Sequence, residues 1–130
     1  NADIAQMPAD QNGRIAGQFF TPEDMVAGAI KGNCKSIAYT YTEPTVFFEL
    51  AQAAAKLAYA ENIKNVFVSN GYMTTEALEL ISPFLDAVNV DLKAFSDDFY
   101  KKMCSFQRNN FPEKNFFCLL ELLKEVEKIL

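Results

Sequence analysis

The fold of this chain follows from residues 36–92, SIAYTYTEPTVFFELAQAAAKLAYAENIKNVFVSNGYMTTEALELISPFLDAVNVDL. They contain short runs rich in β-forming residues at 36–41, 65–69 and 87–92, separated by longer stretches with helical periodicity. Short, mostly apolar strands that alternate with helices pair in parallel, with the helices covering the sheet. The predicted fold class is therefore α/β, with parallel strands.

Local signals set the predicted ends of the helices. Thr21 and Pro22 supply a capping hydroxyl and a proline at the first helical position, and this helix should run to Gly32. Pro44 is expected to open the second helix in the same way, directly after the first strand. Further helices are predicted at about 75–85, from a cap at Ser96, and at 112–130.

Composition bounds the classes of function. The chain has 130 residues, is 50% hydrophobic and only 22% charged, which is typical of a folded globular domain. Its net charge of −5 argues against nucleic acid as the main partner. No apolar run approaches the roughly 20 residues needed to cross a bilayer, and the polar start lacks a signal-peptide pattern. A cytoplasmic location without a membrane partner is expected.

The three cysteines, Cys34, Cys104 and Cys118, lie far apart and at irregular spacing. An odd number at such gaps predicts neither a disulfide framework nor a zinc knuckle. Free cysteine is among the most buried residue types. We expect all three to be small buried side chains.

Polar residues collect where the predicted strands end. In parallel α/β folds the loops at the carboxyl edge of the sheet face one common opening, where ligands bind. A small zwitterion that bears hydroxyl groups, such as an amino-acid nucleoside, would suit such a mixture of carboxylate, amide, hydroxyl and ammonium groups. The residues in question are 39–43 at the end of the first strand, Ser69, Asn70 and Gly71 at the end of the second, and Asp91 and Lys93 at the end of the third.

Each of these features also has a purely structural explanation. Glu43 precedes the proline that should start a helix, where a carboxylate is favourable for capping and dipole reasons. Asp91 and Lys93 lie two apart on one strand face and could be a solvated ion pair. Asn70 with the following glycine is a common turn signal. Aromatic residues near the site are expected to belong to the core: Tyr39, Phe47, Phe48 and Phe67.

Three stretches, TYTEPT at 40–45, FVSNGYM at 67–73 and NVDLKAF at 89–95, occur in an informative order and spacing. Over residues 1–104 the chain resembles the AmmeMemoRadiSam-system radical S-adenosylmethionine (SAM) enzymes, which are relatives of the pyruvate formate-lyase activating enzymes. This resemblance implies a partial (β/α)6, TIM-like barrel and a full-length iron–sulfur oxidoreductase or activase. Such an enzyme uses a 4Fe–4S cluster to cleave SAM reductively to a 5′-deoxyadenosyl radical.

The resemblance also implies roles for particular residues. Glu43 stands where relatives contact the SAM amino group, although two glycines that precede it in relatives are Tyr41 and Thr42 here. Asp91 and Lys93 match residues implicated in ribose and carboxylate contacts. No cation site is carried over, because a metal-binding aspartate of the relatives is Val68 here, and no catalytic residue is assigned. The implied cofactor-binding residues are Asn1, Thr42, Glu43, Ser69, Asn70, Asp91 and Lys93.

The match to the family also predicts how the chain is organised. Residues 1–104 form a partial radical SAM core, and 105–130 form a divergent tail with a C-terminal helix. Asn1 aligns just after the cysteine loop of relatives, so a fragment without C-x3-C-x2-C is expected to hold no cluster itself and to be inactive alone. The substrate stays open, with a protein as one option. Two alternatives remain, a non-catalytic nucleotide-binding α/β module and a scaffold that self-associates through exposed sheet edges.

Overall fold

The computed structural model describes residues 17–91. Its three strands form one parallel sheet in the order β1-β2-β3, so helical crossovers join consecutive strands. The predicted α/β class with parallel strands is confirmed. In chain order the elements are α1 Pro22–Lys31, β1 Ser36–Tyr39, α2 Phe48–Ala60, β2 Lys64–Ser69, α3 Thr75–Ile81, a 3-10 helix Ser82–Phe84 and β3 Ala87–Val90.

The helix α1 begins where the sequence predicts. The Thr21 hydroxyl accepts a hydrogen bond from the Asp24 N–H at 3.1 Å, and the Asp24 carboxylate accepts the Thr21 N–H at 3.0 Å. This reciprocal capping box satisfies backbone donors that the first turn leaves unpaired. The bonds from Thr21 hold the pKa of Asp24 below its usual value. Pro22 occupies the first turn, and the helix ends beside Gly32, as predicted.

The start of α2 differs from the prediction. Pro44 does not open the helix, because residues 44–47 form a turn in which the Val46 N–H donates to the Glu43 carbonyl at 3.0 Å. The helix begins four residues later, at Phe48, and its capping residue makes no side-chain bond to the helix. The physical reason is tertiary, because the Glu43 side chain is bonded to the end of β2 instead of to the helix start.

Other predicted boundaries shift by a few residues. The strand β1 ends at Tyr39 instead of residue 41, and the third helix ends as a 3-10 turn at Phe84. The strand β3 is described up to Val90. The helices predicted from Ser96 and at 112–130 lie outside the described residues.

The main core lies between one face of the sheet and the helices α2 and α3. Tyr39 of β1 and Phe67 of β2 are buried there and meet edge to face, with ring centroids 5.5 Å apart. Fully buried alanines on α2, including Ala51 and Ala54, leave room for these rings. Phe47 and Phe48 pack at the margin of the same cluster, so the aromatics belong to the core as expected.

A single buried amide crosslinks this core. Asn65 of β2 is fully buried, and its Oδ1 accepts a hydrogen bond from the Tyr39 hydroxyl at 3.0 Å. Its Nδ2 donates to the carbonyls of Ala55 and Phe84, each at 3.0 Å. Burial raises the pKa of Tyr39 to about 12, so the phenol remains a donor at neutral pH. Asn65 therefore joins β1, α2 and the 3-10 helix through one side chain.

Asp86 fixes the entry of the chain into β3. Its Oδ2 accepts the Asn65 N–H at 2.8 Å, and its Oδ1 accepts from the Lys64 ammonium at 2.7 Å. Burial acts to raise the pKa of Asp86, but the bonds from Lys64 and Asn65 outweigh it and hold that pKa below the usual value. The Asp86 N–H returns a bond to the Asn65 carbonyl at 2.9 Å. These contacts set the register of β3 against β2.

The opposite face of the sheet has no covering helix within residues 17–91. Side chains that alternate with the core positions point to this face, and they are exposed or half-buried. Parallel sheets are normally covered on both faces, and in a TIM-like barrel this second face lines the interior. The residues of this open face are Ala38, Val66, Val68, Ala87 and Asn89.

The prediction of a buried Cys34 is wrong. Its thiol is free and exposed, because the residue lies in the turn that closes α1, where its N–H donates to the Ala29 carbonyl at 2.9 Å. This turn is outside both hydrophobic clusters. Cys34 precedes β1 and so lies at the amino edge of the sheet, as expected. Cys104 and Cys118 lie outside the described residues.

Candidate site at the carboxyl edge of the sheet

The three strands run in parallel, so the loops that follow them lie along one edge of the sheet. The loop after β1 comprises residues 40–47, and the loop after β2 comprises residues 70–74. The chain leaving β3 is tied to its neighbour, because the Asp91 N–H donates to the Ser69 carbonyl at 2.8 Å. The structure therefore brings the predicted polar loops together.

Glu43 is the residue that joins two of these loops. Its Oε1 accepts the Ser69 hydroxyl at 2.6 Å, and its Oε2 accepts the Asn70 N–H at 2.8 Å. A weaker bond comes from the Thr45 hydroxyl, 3.3 Å from Oε1. Both carboxylate oxygens are thus fixed by donors, and bonds to an ionised acceptor are stronger than those between neutral groups.

These contacts exclude the explanation of Glu43 as a helix cap. A capping role would place its carboxylate at the start of α2, but that helix starts at Phe48 and has no side-chain cap. The carboxylate instead reaches Ser69 and Asn70, which are more than two dozen residues further along the chain. The helix-capping explanation is therefore wrong.

The loop after β2 has the conformation that its sequence favours. The Asn70 Oδ1 accepts the Tyr72 N–H at 2.8 Å, which is an Asx turn. Gly71 is buried and has a φ of 75°, a left-handed conformation that glycine adopts without a steric cost. Its N–H donates to the Ser69 hydroxyl at 3.0 Å. The turn interpretation of this pair is confirmed, and the same turn presents the Asn70 N–H to Glu43.

The Asx turn also fixes the polarity of the Asn70 amide. Because Oδ1 is used by Tyr72, the remaining capacity is that of the Nδ2 donors, which have no hydrogen-bond partner within residues 17–91. Within residues 17–91, Glu43 also keeps acceptor capacity beside it, since a carboxylate has about four lone-pair sites and three donors of this part of the chain reach it. An acceptor and a donor therefore stand next to each other at the rim.

The other predicted site residues are placed less completely. Thr42 is exposed in the loop next to Glu43. Asp91 directly follows β3 at the same edge and is exposed, so its predicted ribose contact stays a prediction. Lys93 and Asn1 lie outside the described residues, and so does the predicted pairing of Asp91 with Lys93.

Two aromatic side chains flank the rim. Tyr41 is 70% exposed and Tyr72 is 39% exposed. Partial burial raises the pKa of Tyr72 above its ordinary value. Both rings lie on loops that also carry the polar groups described above.

Sequence reasoning missed one residue of the site and one residue of the core beneath it. It did not single out Thr45, whose hydroxyl donates to Glu43. The signal was its place two residues after Glu43 in the TYTEPT stretch. It also missed Asn65, because an amide in a run of β-formers gives no local signal of its long-range partners. Ser69 was expected to contact a ligand, but its hydroxyl is used by Glu43 and Gly71.

The rim groups fit a small molecule with an ammonium and hydroxyl groups, because a fixed carboxylate acceptor and an amide donor are adjacent. A metal cluster does not fit the described residues. Within 17–91 no group of three or more His, Cys, Asp or Glu side chains could hold a metal ion, whereas a 4Fe–4S cluster is held by cysteine thiolates. Cys34 lies at the other edge of the sheet.

The alternation of parallel strands and helices, with polar loops at one edge, places this chain in the α/β class of partial TIM-like barrels. The chain belongs to the Radical SAM superfamily, whose family model matches residues 5–126. Full-length members of this family use SAM and a 4Fe–4S cluster, and the chain is therefore part of a radical SAM enzyme family.

A relative from an archaeon matches most of this chain. An uncharacterized protein of Methanocaldococcus jannaschii is 41% identical over 104 residues, which is 80% of this chain. The chain spans 29% of the length of that relative. No solved structure matches the chain significantly.

No helix within the described part of the chain is both long and apolar enough to cross a membrane. The longest of them, α2, has 13 residues, whereas about 20 are needed to span a bilayer.

Proposed function

We propose that this chain contributes the SAM-holding edge of a radical SAM enzyme of the type found among AmmeMemoRadiSam-system proteins and pyruvate formate-lyase activating enzymes. The observation that carries the proposal is the Glu43 carboxylate, which is fixed at the carboxyl edge by Ser69 and Asn70. In a chain of the Radical SAM superfamily, a preorganised carboxylate at this edge suits the ammonium of SAM.

The roles proposed for the chain's residues follow from their chemistry. Glu43 accepts hydrogen bonds from the SAM ammonium, and Lys93 meets its carboxylate. The ribose hydroxyls lie between Asp91, an acceptor, and the Asn70 Nδ2, a donor. Thr42 and Asn1 belong to the same binding surface. Positioning the ligand and excluding water are the contributions of the protein in cofactor enzymes.

The redox chemistry of the family is that of a 4Fe–4S cluster, and the described residues do not include a set of ligands that could hold one. In the family, the 4Fe–4S cluster, when bound, supplies the electron for SAM cleavage, and its thiolate ligands are expected in a C-x3-C-x2-C loop of the full-length parent. The oxidoreductase or activase type, a cytoplasmic location and the division at residue 104 are part of this proposal. A protein is one option for the substrate.

The test uses the complete product of the gene, purified and reconstituted with iron and sulfide under anaerobic conditions. We expect it to bind SAM in equilibrium dialysis and, with a strong reductant, to release 5′-deoxyadenosine. A reconstituted protein that neither binds SAM nor forms 5′-deoxyadenosine contradicts the proposal. Binding of nucleotides in preference to SAM would instead support the nucleotide-binding module.

The residue-level test is Glu43→Gln. Hydrogen bonds to charged groups contribute about 1.5–3 kcal/mol, so we expect the Kd for SAM to rise by about 10- to 100-fold. The matched control is Glu49→Gln, which changes an exposed glutamate in the first turn of α2 and should leave the Kd unchanged. Equal effects of the two substitutions would remove Glu43 from the binding surface.

A further inference from the structure

The hydroxyl of Ser69 is buried and is already bonded to two other groups of the protein. Its single proton is donated to Glu43 Oε1 at 2.6 Å, and its oxygen accepts the Gly71 N–H at 3.0 Å. The residue is 2% exposed. A ligand at the rim therefore has no access to this oxygen, although the sequence placed Ser69 in the binding surface.

Without its hydrogen bonds to the end of β2, the Glu43 carboxylate would be poorly fixed. Glu43 lies in a loop, between the end of β1 and the turn at residues 44–47, and has no helix or strand to hold it. Its two anchors outside that loop are the Ser69 hydroxyl and the Asn70 N–H, both at the end of the central strand β2. They bind one carboxylate oxygen each, so together they fix the plane of the group.

We infer that Ser69 is a positioning residue, which acts on the bound ligand only through Glu43. It transmits the rigid position of β2 to a carboxylate carried by a loop, so that the carboxylate is preorganised for a cationic group of the ligand. This inference rests on the proposed function, in which that cationic group is the ammonium of SAM. Groups held in advance by supporting hydrogen bonds bind more tightly because less freedom is lost on binding.

The test compares Ser69→Ala with Ser69→Thr in the reconstituted, complete gene product. The alanine variant should raise the Kd for SAM by about tenfold, and the threonine variant, which keeps the hydroxyl, should restore most of the affinity. The control is Ser36→Ala, which changes an exposed serine at the amino edge of β1 and should have no effect.

A second probe separates positioning from general damage to the site. Methylthioadenosine shares the adenosine and sulfur of SAM but has no ammonium, so its Kd should be the same for wild type and Ser69→Ala. Equal weakening of both ligands would indicate that Ser69 only supports the fold, and this result overturns the inference.

The third measurement is a double-mutant cycle. If Ser69 acts through Glu43, then Ser69→Ala should add little to the loss already caused by Glu43→Gln. Fully additive losses would overturn the inference even if SAM binding by the wild type upholds the proposed function. If the wild type itself fails to bind SAM, it is the proposed function that fails.

Discussion

The substitution Asn65→Ala removes the amide that joins β1, α2 and the 3-10 helix. Three hydrogen bonds are lost, one from the Tyr39 hydroxyl and two to the carbonyls of Ala55 and Phe84. Each contributes about 1 kcal/mol net, so the free energy of unfolding should fall by about 3 kcal/mol. The cavity left by the side chain adds to this cost.

The assay is urea unfolding of the chain, followed by far-ultraviolet circular dichroism. With a slope of about 1.5 kcal/mol per molar urea, a loss of about 3 kcal/mol lowers the unfolding midpoint by about 2 M. Asn89→Ala is the matched control, because this asparagine is exposed on β3. Exposed substitutions usually change stability by no more than about 0.5 kcal/mol.

A milder variant keeps the test decisive if Asn65→Ala does not fold. Tyr39→Phe deletes only one of the three bonds and leaves the Asn65 Oδ1 without its donor, which should cost about 1–2 kcal/mol. In the double variant the two losses should not add, because both remove the same bond. If Asn65→Ala is no more costly than Asn89→Ala, or if Tyr39→Phe is neutral, then the Asn65 amide does not stabilise the core as described.

Three further predictions concern stability. The pKa of about 12 for folded Tyr39 lies above the ordinary 10.0, so stability present below pH 10 should decline as pH rises toward 12, and Tyr39→Phe should reduce that decline in alkaline urea titrations. Lys64→Met should lower the urea midpoint only slightly, because the Lys64 side chain is 67% exposed and water screens its ion pair with Asp86. Asp86→Ala should cost about 1–3 kcal/mol in the same assay, because it also leaves the part-buried Asn65 N–H without its acceptor; equal costs for the two would contradict this account. Thr21→Ala should lose about 1 kcal/mol through the capping box, and an unchanged urea midpoint would count against it.

Much of the candidate site could be predicted, because its residues occupy the ends of strands that the sequence marks clearly. Glu43, Asn70 and Asp91 were placed at one edge from the strand order alone, and the structure brings their loops to that edge. The sequence could not predict which of the polar residues faces a ligand and which one holds another side chain in place. Whether Ser69 faces a ligand or another side chain depends on where Glu43 lies. No local sequence pattern indicates that these two residues are close together in the fold.

Features that depend on neighbours within a few residues follow from the amino-acid sequence. The capping box at Thr21, the turn at Asn70 and the alternation of strands with helices all follow from short-range sterics and hydrogen bonding. These local preferences were enough to predict the α/β class and the edge of the sheet where polar residues gather.

Three other features of the chain depend on its tertiary contacts. The helix α2 begins at Phe48 and not at the predicted Pro44, because Glu43 bonds to the end of β2. Cys34 is exposed because its turn lies outside the core. Asn65 crosslinks the core through hydrogen bonds to groups on three other elements. Such contacts depend on strand register and helix packing, which bring together groups that are far apart in the chain, and this is why they leave no signature in the local sequence.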